Sequence, residues 1–180
     1  MILPQVTLLV VVLVVAGTWW WLSRVRVTSR PPVAMMVQRI AFPGGIRVAD
    51  VERAVAQLDR PDEIVIPFEH AVLVIDYPLS SAASIPISAP LQLGFTRGAL
   101  VKLICEEYAH VYDAEEGTAA TKTIPLDERG ERRSRNRTDG AYGIWGHDLA
   151  DLVLTEARWT RQATGAVRIE LHVEARATSA

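Results

Sequence analysis

The sequence predicts an α+β protein in which one N-terminal transmembrane helix precedes a mostly antiparallel sheet packed on one long helix. Three observations carry that prediction. Residues 1–22 contain no charged side chain. The run beginning at Thr96 repeats apolar residues at helical spacing. Residues 167–174 alternate between apolar and charged or polar side chains, the period of a half-buried strand. The expected organisation is an anchor over 1–24, a linker over 25–45 and an α+β globular domain over 46–180.

Composition sets the outer limits. A chain of 180 residues suits one domain with an appendage. With 49% hydrophobic and 22% charged residues it can build a core and does not read as disordered. A formal net charge of −2 provides no basic field, so nucleic acid is not an expected partner. The single cysteine, Cys105, excludes an internal disulfide framework and a cysteine-based zinc centre. It falls beside Val101, Tyr108 and Tyr112 on a helix face, which reads as packing rather than as a nucleophile.

The opening stretch has the length of a membrane span, which needs roughly 20 mostly apolar residues at about 1.5 Å each. Trp19, Trp20 and Trp21 follow it, then Arg24, Arg26 and Arg30. Apolar, aromatic, basic is the order of a bilayer from its middle to its edge. A cleaved signal peptide would carry a basic n-region and a small-residue cleavage site, whereas here no Lys or Arg precedes the apolar run and bulky tryptophans follow it. Basic residues flank only the C-terminal side, so a single-pass protein with its domain on the cytosolic side is expected.

Pro31, Pro32 and Pro43 mark the linker, with "VAMMVQRIAF" between them able to form a strand. Asp50 can cap a short helix through Val51, Ala54, Val55 and Leu58. "EIVIPF" and "AVLVIDY" read as strands broken by Pro67, and "SIPIS" as a third. The long helix takes Thr96 as N-cap, lines one face with Leu100, Ile104, Tyr108, Val111 and Tyr112, and is expected to end at Gly117. Residues 118–140 read as a solvated connection. A closing hairpin pairs Val153, Ala157 and Trp159 with Val167, Ile169, Leu171 and Val173 across "QATG".

No phosphate-binding glycine loop, H-E-x-x-H or G-x-S-x-G appears. In "DGAYGIWGHD", glycines alternate with large side chains, giving a rigid loop or a binding loop with Tyr142, Trp145, His147 and Asp148 as candidates. A metal site is conceivable from Glu106, His110, Asp113 and His147, the first three being helix neighbours at spacings of three and four. Arg129, Arg132, Arg133, Arg135 and Arg137 are candidates for contact with an anionic surface. Asn136-Arg137-Thr138 is a glycosylation sequon that a cytosolic location would leave unmodified.

Three blocks, "VIDYPL" (residues 74–79), "LGFTRGALVKLICEEYAHVYDAEEG" (93–117) and "NRTDGAYGIWGHDLADLVLTE" (136–156), together resemble an uncharacterised domain of proteins from large DNA viruses of algae and protists. The resemblance covers about the C-terminal 100 residues and implies a viral protein, in a virion membrane or under a capsid. It brings no activity and no catalytic residues. The expected function is a membrane-anchored structural or interaction module, with the lipid bilayer and either another protein or anionic headgroups as partners and no cofactor. The alternative is a membrane-tethered, metal-dependent enzyme using polar residues around His110 and His147.

Overall fold

The structure, a computed structural model, describes residues 36–90, 92–130 and 134–176. The expected anchor over 1–24 lies outside the described residues, as does the linker through residue 35. Among the described residues no helix is long and apolar enough to cross a membrane.

The domain is α+β, with a mostly antiparallel sheet and one long helix. Five strands form the main sheet: β1 (Met36–Arg47), β3 (His70–Ile75), β4 (Ala83–Ser88), β6 (Leu152–Arg161) and β7 (Val167–Ala175), in the order β1-β6-β7-β3-β4. Every neighbouring pair is antiparallel except β3 with β7. A two-stranded antiparallel pair joins β2 (Ile64–Ile66) to β5 (Phe95–Thr96). The linker expected over 25–45 is corrected here. Residues 36–45 belong to β1, which pairs with β6 and buries Ile40 and Phe42 in the core.

The short helix α1 (Val51–Ala56) starts where the Asp50 carboxylate accepts the Arg53 N–H at 3.1 Å. The long helix α2 (Arg97–Thr118) starts at Thr96, whose hydroxyl accepts the Ala99 N–H at 3.2 Å. Its 22 residues extend about 33 Å. Leu100, Val101, Ile104, Cys105 and Tyr108 are all buried and share the core cluster with Leu73, Ile75, Leu154, Trp159 and Ile169 of the sheet. Gly117 does not end α2. The helix continues to Thr118, whose hydroxyl donates to the Ala114 carbonyl, and Ala119 turns to extended backbone.

The hairpin has the expected register on β7, where Val167, Ile169 and Val173 are buried and Leu171 packs partly buried on the core. Its turn is closed by Gly165, at φ +88°, donating to the Gln162 carbonyl. On β6 the pairing shifts between Leu154 and Glu156. That bulge reverses the alternation, so the inward residues are Leu152 and Leu154, then Ala157 and Trp159. Val153, expected inside, is therefore only half-buried. Trp159 is fully buried, and its indole N–H donates to the Val65 carbonyl at 3.1 Å.

The connection after α2 is largely exposed, as expected, and hydrogen bonds pin it to the domain. The Thr121 N–H donates to Asp139 at 2.7 Å, and the Ile124 N–H to the Asn136 side chain at 2.8 Å. Thr123 bonds Glu116 through its hydroxyl at 2.7 Å. These bonds fold the excursion back onto the C-terminal end of α2.

Candidate functional site

The site begins with Glu115, on the apolar stripe of α2, seven residues after Tyr108 and four after Val111. Its side chain is fully buried. One carboxylate oxygen accepts the Thr138 hydroxyl at 2.6 Å and the Gly140 N–H at 2.8 Å; the other accepts the N–H groups of Tyr142 at 2.7 Å and Gly143 at 3.0 Å. Burial by itself would raise the pKa of this carboxyl. The four donors outweigh it and hold the group down at about 2. Gly140 is needed for this approach, because a Cβ there would stand 2.6 Å from the Glu115 carbonyl oxygen and 2.7 Å from Oε2.

A second polar group lies in the same loop. Arg129 grips Asp148 with two bonds, at 2.6 and 3.0 Å, and its side chain is only 5% exposed. Bonding to Asp148 raises the guanidinium pKa further. Arg135, 7% exposed at its side chain, lies 3.7 Å from both Asp148 and Glu116 and sits 5.1 Å from the Tyr112 ring centroid. Two of the five arginines expected to meet an anionic surface are thus buried in ion pairs. Arg137 is different: it reaches the Ser80 hydroxyl at 3.0 Å from an exposed position. Arg132 and Arg133 lie outside the described residues.

These buried contacts carry an aromatic surface. Residues 142–146 run beside residues 78–81, with the Trp145 N–H donating to the Pro78 carbonyl and the Ser80 N–H to Tyr142. Tyr77, Trp145 and His147 then form a triangle with ring centroids 5.9, 5.8 and 6.4 Å apart. Tyr77 and His147 are half-buried, whereas Trp145 is 42% exposed. From below, the Tyr108 hydroxyl donates to the Tyr77 carbonyl and the Tyr112 hydroxyl to the His147 carbonyl, each at 3.0 Å. Burial raises the pKa of both phenols. Of the expected binding-loop residues, Trp145 and His147 share this surface, Asp148 serves the arginines, and Tyr142 bonds Glu115 through its backbone.

The expected metal ligands are not brought together. Among the described residues no group of three or more histidine, cysteine, aspartate or glutamate side chains could hold an ion. Glu106 pairs with Lys102 at 3.8 Å and His110 with Glu107 at 3.5 Å, while Asp113 is exposed. Cys105 is buried, and burial pushes its thiol up to about 11, away from thiolate reactivity. The sequon residues have structural partners. The Asn136 amide donates to the Lys122 carbonyl at 3.1 Å, and Thr138 is 1% exposed.

Sequence reasoning missed Glu115, although a carboxylate inside an apolar helical stripe is a visible signal. It also missed the Arg129–Asp148 clamp, which no periodicity announces. No family model matches this chain, and no curated protein or solved structure matches it.

Proposed function

We propose that this chain is a membrane-anchored interaction module. Residues 1–24 hold it to a bilayer with the domain on the cytosolic side, and the surface of Tyr77, Trp145 and His147 meets a protein partner. The carrying observation is Trp145, 42% exposed on a loop whose backbone is fixed by a fully buried carboxylate. A large ring held in place before binding loses little entropy on contact, which is how aromatic anchors contribute most to interfaces. The Arg129 and Arg135 ion pairs favour a protein partner over anionic headgroups, because those charges already have carboxylate partners. A viral setting rests on the resemblance of the three sequence blocks.

A photo-crosslinking residue placed at the exposed Ala141 of the full-length chain, in membranes, tests this. The expected result is one discrete protein adduct in the carbonate-resistant fraction, lost when Trp145→Ala is added. An adduct that survives Trp145→Ala, or none at all, overturns the contact surface. Release of the chain into the carbonate wash overturns the anchor.

A further inference from the structure

We infer that two copies of this chain pair antiparallel along the outer edge of β1, about a twofold axis at Gln38; this rests on the membrane anchor of the proposed function. The two edges of the main sheet differ. At one edge, β4 carries Pro86 inside its six residues, and proline has no N–H to offer a further strand. At the other, residues 36–41 of β1 pair with β6 on one side, and among the described residues no strand lies on their outer side. That stretch contains no proline, so its outward N–H and C=O groups form an open template for another strand. Met36 and Val37, on opposite faces of it, are 50% and 49% exposed.

The edge can match itself. A twofold axis at Gln38 sets Met36 opposite Ile40 of the second copy, Val37 opposite Arg39, and Gln38 opposite its counterpart. Alternation puts Met36, Gln38 and Ile40 on one face and Val37 and Arg39 on the other, so each opposed pair shares a face. Apolar Met36 thereby gains an apolar neighbour, and Val37 lies against the Arg39 stem. The two Arg39 residues are offset by two positions, about 8 Å apart at their Cα atoms. Each already has Glu156 at 3.9 Å.

The anchor selects a second copy over a partner from solution. Five opposed residues a side are a small contact on the scale of stable interfaces. Tethering both strands in one membrane offsets this by raising their effective concentration. Residues 25–35 extend at most about 40 Å, which keeps β1 within that distance of the bilayer. Every other copy holds its own β1 edge in the same layer. Twofold pairing leaves the two Met36 ends about 15 Å apart, within reach of both tethers.

The test places Gln38→Cys in the full-length chain in membranes, with copper phenanthroline as oxidant and a non-reducing gel as readout. At the axis the two Cα atoms stand about 4.5–5.5 Å apart, inside the span of a disulfide. Gln38→Cys should therefore yield at least about tenfold more dimer than Arg39→Cys, whose Cα atoms are too far apart to bridge. The parent chain, with Cys105 buried, and Ser84→Cys on β4 should stay monomeric. Equal yields from the three introduced cysteines would mean random encounters of tethered chains, and a monomeric Gln38→Cys would mean no pairing; either overturns the proposal. A carbonate-resistant chain without the Gln38 disulfide removes the pairing and leaves the anchor. A Gln38-specific disulfide in a chain that the wash releases supports the pairing and removes the anchor.

Discussion

The loop after α2 and the outer face of the β6–β7 hairpin are built from the same charged residue types and differ in where the charges sit. At the loop, Glu115 of α2 is fully buried and bonded to loop donors, and Arg129, 5% exposed at its side chain, is bonded to a half-buried Asp148. On the hairpin, Arg168 bonds Glu170 at 3.0 Å and Arg158 bonds Glu156 at 3.4 Å, with side chains 26–53% exposed. Exposed pairs gain little, because water and salt screen them and two long side chains must be ordered. Buried groups are asymmetric: satisfied, they define one conformation, and with a partner removed they incur the full cost of desolvation. Charge on the hairpin therefore keeps one sheet face wet, while charge in the loop decides the path of the backbone.

The sharpest way to break this contrast is Glu115→Ala, which strands the Thr138 hydroxyl and three backbone N–H groups in the interior. The expected loss in urea denaturation is about 3–5 kcal/mol. A pH series sharpens it. The folded pKa of Glu115 lies near 2, below its ordinary 4.5, so its contribution is complete above 4.5 and disappears as pH falls through 2. The shift corresponds to about 3 kcal/mol. The wild-type chain should lose this stability over that window and Glu115→Ala should not. Parallel acid profiles would show that the carboxylate is not held ionised.

Ile169→Ala, in the apolar row of β7, should cost about 2–5 kcal/mol through lost burial and the cavity left behind. Gly140→Ala should cost about 1–3 kcal/mol, because its Cβ meets the Glu115 carbonyl and carboxylate. That loss should shrink in a Glu115→Ala background, which relieves part of the clash, and simple additivity in a double-mutant cycle would contradict the contact. Glu170→Ala, on the outer face, should cost about 0.5 kcal/mol or less. Comparable losses from Ile169→Ala and Glu170→Ala would mean that the hairpin register is wrong, since a one-residue slip exchanges the two faces.

Most of the regular elements were legible because their signals are local. The β7 alternation, the Thr96 cap and the stripe from Leu100 to Tyr112 each occupy one short window of sequence. The misreadings have equally specific causes. Strict alternation places Val153 inward because it cannot register a bulge, and a glycine reads as a helix stop at Gly117 although the helix runs one residue further, to Thr118, whose hydroxyl bonds the Ala114 carbonyl. The site was legible only in part. Trp145 and His147 stood out by composition, but their meeting with Tyr77 spans about 70 residues of chain and has no local signature.

The sequence by itself determined the α+β class, the long helix, the closing hairpin and the presence of an unusual glycine-aromatic loop, because hydrophobic period and cap chemistry act between near neighbours. Tertiary structure alone decided that Glu115 is an ionised structural centre and that Arg129 and Arg135 are interior rather than surface charges. A carboxylate's state depends on the donors that reach it, and those of Glu115 come from 23 to 28 residues further along the chain. Only folding brings them within 3 Å, and only then do hydrogen bonds to the charged form outweigh the burial that opposes it.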